Sequence, residues 1–561
     1  MNKQFLAMTG ALTAVASLSF AIPFDNSSGG PAVATVGPSG ADYSSLAAAA
    51  SAFSSVSGGI NREWTLQVTG DTTETAPVYF GNTFGTGGKL IIKPAPSTQP
   101  TILFQCTSGP PGIYGDMVFG VTDGNVPTAA NDRPSDGNYV IDGSNTVGGT
   151  TRDLTIKMEG TNDANGRVIR VWGDTWNMVI KNTNIIARRT PPGVGNYTSY
   201  AIGVAAGQTS DATPVSRRPN GLTIENCYLE SNSALSNYGN AIEFSVTANG
   251  SLPAGIGIEN VTVRNCTIVS KQRGNLFTGL YSGVIEGNSI TITNGIGTGL
   301  TYPGIFLYTN NSTPGGTVIV RNNVINMAKV PSTTAGQGAY GILVDSGMTS
   351  ATIQIYNNIV KYASDAFTAA TGTDLIYRGI SFGAATSKGL IEHNSVDCPP
   401  NNTAVVSATA GRVAGIACGV TMGDTLQIRN NIVRTGNAST VARVIYLADA
   451  TNVTCEGNDL VPNGSPAVGQ VGSNVYAALA DWQGAGFDSV ASGGQSVDPA
   501  SVTPAWDANL HFALKPVGLG KVASSTILTD FDGDARPATN AYPGADEPPG
   551  PAAGVADWAL F

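Results

Sequence analysis

The sequence is poor in charge. Asp, Glu, Lys and Arg make up 12 % of its 561 residues, about half the ~25 % usual in a globular chain. Against 39 acidic residues stand 29 basic ones, a net charge of −10. A chain this acidic and this short of Lys and Arg argues against nucleic acid or an anionic membrane as partner. Histidine is scarcer still. His393 and His511 are the whole supply, which leaves little room for His-rich metal sites or imidazole relays. The six cysteines (Cys106, Cys227, Cys266, Cys398, Cys418, Cys455) form no C-x-x-C pair, so zinc ribbons and thioredoxin-like sites are excluded. Past the N-terminus no apolar run reaches the roughly 18 residues that a membrane-spanning helix needs. Glycine is plentiful: 70 Gly and 31 Pro make 18 % of the chain, below the ~25–30 % that marks disorder. With 41 % hydrophobic residues, a large core is within reach.

The first residues read as a targeting segment. Leu6 to Ala21 is apolar and small, and Ser19-Phe20-Ala21 offers small residues at the positions a signal peptidase reads. A secretory signal peptide cut near Ala21 is expected. Export permits disulfides, but a large core does not require them.

The middle of the chain repeats. The segments VIKNTNI (179–185), TIENCYL (223–229), TVRNCTI (262–268), VIEGNSI (284–290), IVRNNVI (319–325), QIYNNIV (354–360), LIEHNSV (390–396), QIRNNIV (427–433) and TCEGNDL (454–460) align. Their anchors are Thr183, Cys227, Cys266, Asn288, Asn323, Asn358, Asn394, Asn431 and Asn458, at spacings of 44, 39, 22, 35, 35, 36, 37 and 27 residues. Three residues before the anchor and two after it the side chain is apolar in every copy. A second series, AIGV (201–204), AIEF (241–244), GIFL (304–307), GILV (341–344), GISF (379–382), GIAC (415–418) and VIYL (444–447), falls between the anchors. Its alternating β-branched residues read as strand, and helical periodicity is absent. At least two short strands per irregular period, with an Asn at the bend, predict a parallel β-helix. Equivalent slots then stack about 4.8 Å apart, and the anchors form an Asn ladder. Cys227 and Cys266 share the anchor slot in neighbouring copies; they read as small buried residues, with a disulfide as the alternative.

The slot two before the anchor fixes the register. It holds Lys181, Glu225, Arg264, Glu286, Arg321, Tyr356, Glu392, Arg429 and Glu456, alternating in sign but for one Tyr. Opposite charges on facing strands are favourable and like charges costly, so successive copies must be neighbours. One at a time these residues resemble catalytic candidates; as an outward-facing row they are structural.

The ends differ from the middle. Asp42 is placed to cap a helix from Tyr43 to about Ser57, closed by Gly58-Gly59. Strands follow at 65–68, 77–80, 89–93 and 138–144. The repeat is lost near Asn463. The resulting organisation is a signal peptide (1–21), an N-terminal cap with first coils (22–149), β-helix repeats (150–465), a C-terminal capping region (466–547) and a tail (548–561). Asp530, Asp532 and Asp534 are spaced like the start of a calcium loop. Ala541 stands where that loop needs an acid, so a solvated turn is the first reading and calcium the alternative; no metal or cofactor is otherwise expected.

With its opening Val36-Gly37 through Asp42-Tyr43-Ser44-Ser45-Leu46, and its close from Asp530-Phe531-Asp532-Gly533 through Arg536-Pro537 to Gly544-Ala545-Asp546-Glu547, the chain resembles the right-handed parallel β-helix proteins of the pectin-lyase-like superfamily. Within it, the chain is most similar to the secreted bacterial β-helix repeat proteins. The resemblance spans roughly residues 31–547. It implies an all-β solenoid and export to the medium or cell surface of a bacterium, and leaves the activity open. The enzymes of that superfamily carry motifs that this chain lacks. Arg189-Thr190-Pro191-Pro192-Gly193-Val194 begins like the pectate-lyase R-x-P-x-x-R and ends in Val. Asn182-Thr183-Asn184 departs from the polygalacturonase N-T-D, and neither D-D nor G-H-G occurs. Gly70-Asp71-Thr72-Thr73-Glu74 lacks the Tyr of the pectin-methylesterase G-x-Y-x-E.

Two functions from different classes remain. The first is a non-catalytic surface or matrix protein, structural or polysaccharide-binding. The second is a polysaccharide lyase or glycoside hydrolase acting on acidic, pectin-like glycans. For either, the candidate region is 165–245. Trp172 and Trp176 are available to stack on sugar rings, with Tyr197, Tyr200 and Tyr238 nearby. Arg188, Arg189, Arg217 and Arg218 are available to pair with carboxylate or sulfate. Glu243 is the first acid of the second strand series. The competing reading has the aromatics covering a coil edge and the arginines solvated.

Overall fold

The computed structural model describes residues 24–106, 115–123, 127–128, 130, 132–159, 166–188, 198–205, 217–231, 238–245, 257–293, 301–327, 338–363, 376–398, 411–437, 441–464, 467–502, 505–512, 525–537 and 541–547. The expected signal peptide, the tail, Arg189 and Tyr197 lie outside them.

Three long sheets of 13, 12 and 13 strands are stacked side by side. Thr317–Arg321 lies in the first sheet, Val324–Met327 in the second and Gly338–Gly347 in the third. Thr352–Tyr356 then returns to the first sheet, parallel to Thr317–Arg321. Repetition of this path builds a parallel β-helix. Three strands complete each coil. The extra break lies inside the aligned segments, one residue before each anchor. There Asn182, Asn226, Asn265, Gly287, Asn322, Asn357, His393, Asn430 and Gly457 have φ between 48° and 66°. Asn tolerates this left-handed conformation and Gly adopts it freely, so these two types dominate the corner.

The charged slot is in register throughout. Lys181, Glu225, Arg264, Glu286, Arg321, Tyr356, Glu392, Arg429 and Glu456 face one another strand by strand. Ion pairs join Arg264 to Glu225 at 2.9 Å, Arg321 to Glu286 at 2.5 Å and Arg429 to Glu392 at 3.1 Å. The row is not uniformly outward, however. Glu392 has no exposed surface, and Asn430 Nδ2 donates to its Oε1 at 3.0 Å.

What covers it is the C-terminal region. Residues 467–502 close the end of the solenoid, where Trp482 stacks on Phe487 at 4.3 Å. The chain then runs back along the flank instead of stopping as an end cap. Asn322 and Asn357 donate to the carbonyls of Phe531 and Thr529 at 3.1 and 2.7 Å. Arg536 reaches Asn357 Oδ1 at 3.2 Å, and Gly544 N donates to Asn430 O at 2.8 Å.

The anchors form a continuous buried ladder. Each Asn Nδ2 donates to the Oδ1 of the next, from Asn288 through Asn323, Asn358, Asn394 and Asn431 to Asn458, at 2.9–3.0 Å. The ladder ends on Asp488, which accepts from Asn458 Nδ2 and from Trp482 Nε1 at 2.9 and 3.0 Å. An acceptor on both oxygens is the right terminus, since an Asn there would need a further acceptor beyond it. All six cysteines are buried free thiols, and Cys266 N donates to Asn288 Oδ1.

At the other end the helix is shorter than expected, Leu46–Ser54. Ser45, not Asp42, is its cap, accepting from Ala48 N at 3.1 Å. Asp42 instead accepts from Thr35 N and Oγ1. The helix start is satisfied by Glu74, which takes Leu46 N at 2.6 Å and Ala47 N at 3.2 Å, an arrangement the helix dipole favours.

Candidate ligand groove on the third sheet

The third sheet receives the second strand series. Ile202, Ile242, Asn275, Ile305, Ile342, Ile380, Ile416 and Ile445 stand in one inward register. One residue later the side chain points outward, in the order Gly203, Glu243, Leu276, Phe306, Leu343, Ser381, Ala417, Tyr446. A second outward row holds Arg167, Tyr200, Asn240 and Arg273, then Pro303, Tyr340 and Arg378.

Between these rows lies a groove of about 780 Å³, within the size range of small-ligand sites. Leu276, Phe306, Tyr340 and Leu343 pack into an apolar floor separate from the main core. Tyr308 stands at the rim, 46 % exposed, its ring 5.3 Å from that of Phe306. Arg273 lies with its guanidinium carbon 5.6 Å over Phe306. Arg378 donates to Gly411 O at 2.9 Å and to Ser381 Oγ at 3.0 Å. Burial lowers the pKa of both guanidinium groups, though arginine remains cationic in proteins. Glu243 and Asp345 are the acids bordering the groove. Among the described residues neither Arg273 nor Arg378 has a carboxylate within salt-bridge distance; Glu243 is taken by Arg167 at 2.6 Å.

The residues singled out from the sequence are scattered. Trp172 is fully buried beside Val118, Val121 and Ala205, so it offers no face to a sugar. Tyr200 is buried under Arg167, 4.5 Å from its guanidinium carbon. Arg188 pairs with Glu230 through two bonds of 2.7 and 3.0 Å. Arg218 pairs with Glu259 at 2.9 Å, and Arg217 with Asp132. Arg188, Arg217 and Arg218 are therefore ion-paired, the Arg188 side chain remaining about half exposed. Tyr238 begins the strand Tyr238–Ser245 of the third sheet. Trp176 is 42 % exposed but sits at the corner between the third and first sheets, whereas Arg188 ends a strand of the second sheet. The two do not share a site.

At the Trp176 corner the fold brings carboxylates together without any D-D in the sequence. Asp132 and Asp174 meet around Arg217. Burial and the neighbouring Asp132 push the Asp174 carboxyl up to about 6. Asp174, Asp136, Phe84 and Trp176 border a groove of about 480 Å³.

Among the described residues, Asp530, Asp532 and Asp534 do not gather their carboxylates into one grouping. Asp530 is buried and accepts from Asp534 N and Glu547 N, which makes it a turn anchor and not a solvated loop. Among the described residues, the grouping with metal-ligand chemistry is His511, Asp532 and Asp546. Its His511 Nδ1 lies 3.8 and 3.7 Å from the two carboxylates.

Reading by sequence missed Arg273, Phe306, Tyr308, Tyr340 and Arg378. The usable signal was the third position of each run in the second series, which is the outward row. In Gly304-Ile305-Phe306-Leu307-Tyr308 apolar residues occupy both faces, as in sheets covered on both sides, so the outer face passes for core.

No family model and no curated protein matches the chain. Two solved structures of PfbA, a surface adhesin of Streptococcus pneumoniae, are similar in structure. One shows 13 % identity and a TM-score of 0.33 over 73 % of this chain and 84 % of the other. The second shows 12 % and 0.34 over 72 % and 91 %. Likeness at this level carries no functional argument. Among the described residues no helix is long and apolar enough to cross a membrane.

Proposed function

We propose that this is a secreted or cell-surface β-helix protein of the pectin-lyase-like kind that binds an acidic polysaccharide along the outer face of its third sheet. One observation carries the reading: an aromatic floor with an exposed Tyr308 at its rim lies beside Arg273 and Arg378, neither paired with a carboxylate among the described residues, on a chain of net charge −10. Sugar rings offer C–H faces to aromatic surface, and uronate or sulfate groups suit the guanidinium fork. A stacked sheet presents these groups along a line, which suits a chain ligand.

A second reading, hydrolysis, draws on the Trp176 corner. A carboxyl titrating near pH 6 beside an exposed aromatic has the protonation a general acid needs. A glycan array spanning uronate, sulfated and neutral chains tests the first reading, followed on each hit by assays for unsaturated ends and for new reducing ends. Binding of acidic chains with neither product is the expected result. Unsaturated product identifies a lyase, and new reducing ends alone identify a hydrolase. Failure to bind any acidic glycan overturns the proposal.

A further inference from the structure

The strand Gly166–Trp172 carries a second arginine, Arg170, whose place on the outer face is unusual. Its neighbours Ile169 and Val171 belong to the main core, while Arg170 stands in register with Gly203 and, one strand on, Glu243. Arg170 has no exposed surface. Its guanidinium carbon lies 4.9 Å over the Trp172 ring, and among the described residues Nε, Nη1 and Nη2 all lack a hydrogen-bond partner. Arg167 is also buried, at 4 % exposure. It lies across Gly203, where a Cβ would come within 2.2 Å of Arg167 Cδ, and so reaches Glu243 with Nη2 at 2.6 Å. Its Nε and Nη1 also lack partners.

The charges do not balance. Among the described residues, these two buried guanidinium groups share one carboxylate. A buried cation without a counter-charge costs several kcal/mol, and buried N–H groups without acceptors add to that cost. Gly203 and Trp172 hold the two forks in place, while five of their six nitrogens remain unused. A planar or tetrahedral oxyanion supplies the acceptors and the charge at once.

We infer that Arg167 and Arg170 form a buried site for an oxyanion (carboxylate, sulfate or phosphate) at the Glu243 end of the third-sheet groove. Glu243 borders the groove and also binds Arg167, so an entering anion competes with Glu243 for the same guanidinium. The site stands whether or not the groove holds a polysaccharide, because a free anion is enough to fill it.

The test uses the full chain, with sodium sulfate, sodium phosphate and sodium glucuronate each titrated against sodium chloride at constant ionic strength. Thermal unfolding and calorimetry are the readouts, and the three arms identify which oxyanion the site takes. At least one oxyanion is expected to raise the melting temperature saturably with one-to-one stoichiometry. Arg170→Met is expected to abolish that response and, without oxyanion, to melt at or above the wild type, because it removes an uncompensated buried charge. Arg170→Lys keeps the charge but loses the fork, and is expected to weaken binding at least tenfold. The inference is overturned if no oxyanion acts saturably on the wild type. It is equally overturned if Arg170→Met folds and keeps the response. An Arg170→Met protein that melts well below the wild type in chloride, with no oxyanion response in either, shows Arg170 to be a packing residue and also overturns it.

Discussion

Replacing Asn358 by Ala cuts the ladder at its centre. Asn358 is fully buried. Its Nδ2 donates to Asn394 Oδ1 at 3.0 Å, to Val320 O at 2.9 Å and to Tyr356 O at 3.0 Å. Its Oδ1 accepts from Asn323 N at 3.1 Å and from Asn323 Nδ2 at 2.9 Å. Some groups keep a partner after the change: Asn323 Nδ2 retains Ile285 O and Arg321 O, and Asn394 Oδ1 retains Asn358 N. The Asn323 N–H does not, and the Val320 and Tyr356 carbonyls each lose one donor, Tyr356 O keeping Asn322 N at 3.3 Å. One stranded buried N–H costs about 1–3 kcal/mol and each further lost bond about 0.5–1.5 kcal/mol, so a loss of about 2–5 kcal/mol is expected. Asn288→Ala costs less, because Cys266 stands above it where Asn323 stands above Asn358, so one side-chain ladder bond fewer is lost. Urea titration followed by circular dichroism reads the difference, and hydrogen exchange across 320–360 shows whether the loss is local, as nearest-neighbour stacking implies. A cost below about 1 kcal/mol for Asn358→Ala, well under one stranded group plus the lost bonds, would refute the ladder as a stabilising device.

The charged row makes a graded prediction. Arg321→Glu faces Glu286 across a half-exposed pair and is expected to cost no more than about 1 kcal/mol, less in high salt; Glu392→Ala, buried beneath the returning C-terminal segment, is expected to cost several times more at any salt. A further prediction concerns pH. Burial pushes the Asp459 carboxyl up to about 8 and that of Asp488 up to about 6. A folded-state pKa raised above the ordinary carboxyl value means the fold favours the protonated form. That contribution is fully present below about pH 4 and is lost as pH rises through 6 and then 8, by up to about 1.4 kcal/mol per unit for one group. Asp459 accepts Val497 N with Oδ1 at 2.8 Å, while its Oδ2 has no partner among the described residues. Asp459→Asn keeps that bond and is expected to flatten the pH 6–8 part of the melting profile; an unchanged slope contradicts the assignment.

The contrast between what was legible and what was not has a physical basis. The anchors and the charge alternation were readable because each slot meets only its own copy above and below, so stacking writes the contact into the sequence at fixed offset. Asp488 was hidden because a ladder terminus needs an acceptor-only residue and so breaks the Asn pattern. The groove was hidden for a different reason. Phe306 and Leu343 are apolar on the outside of the sheet, and Tyr308, Arg273 and Arg378 become neighbours only across coils. Trp172 and Tyr200 misled because aromatic residues on the third sheet also serve as platforms under Arg170 and Arg167. The returning C-terminal segment was unreadable, since its partners Asn322, Asn357 and Asn430 are corner residues whose conformation already explains their identity.

The central claim, an acidic chain ligand seated in the third-sheet groove, is tested most directly by calorimetric titration of an oligouronate into the wild type and into the double variant Tyr308→Ala/Arg273→Ala at constant ionic strength. Loss of one aromatic contact, about 1 kcal/mol, and one charge-assisted contact, about 1.5–3 kcal/mol, predicts binding weakened by roughly 50-fold or more, with the melting temperature close to that of the wild type. Equal affinity in the two proteins contradicts the claim.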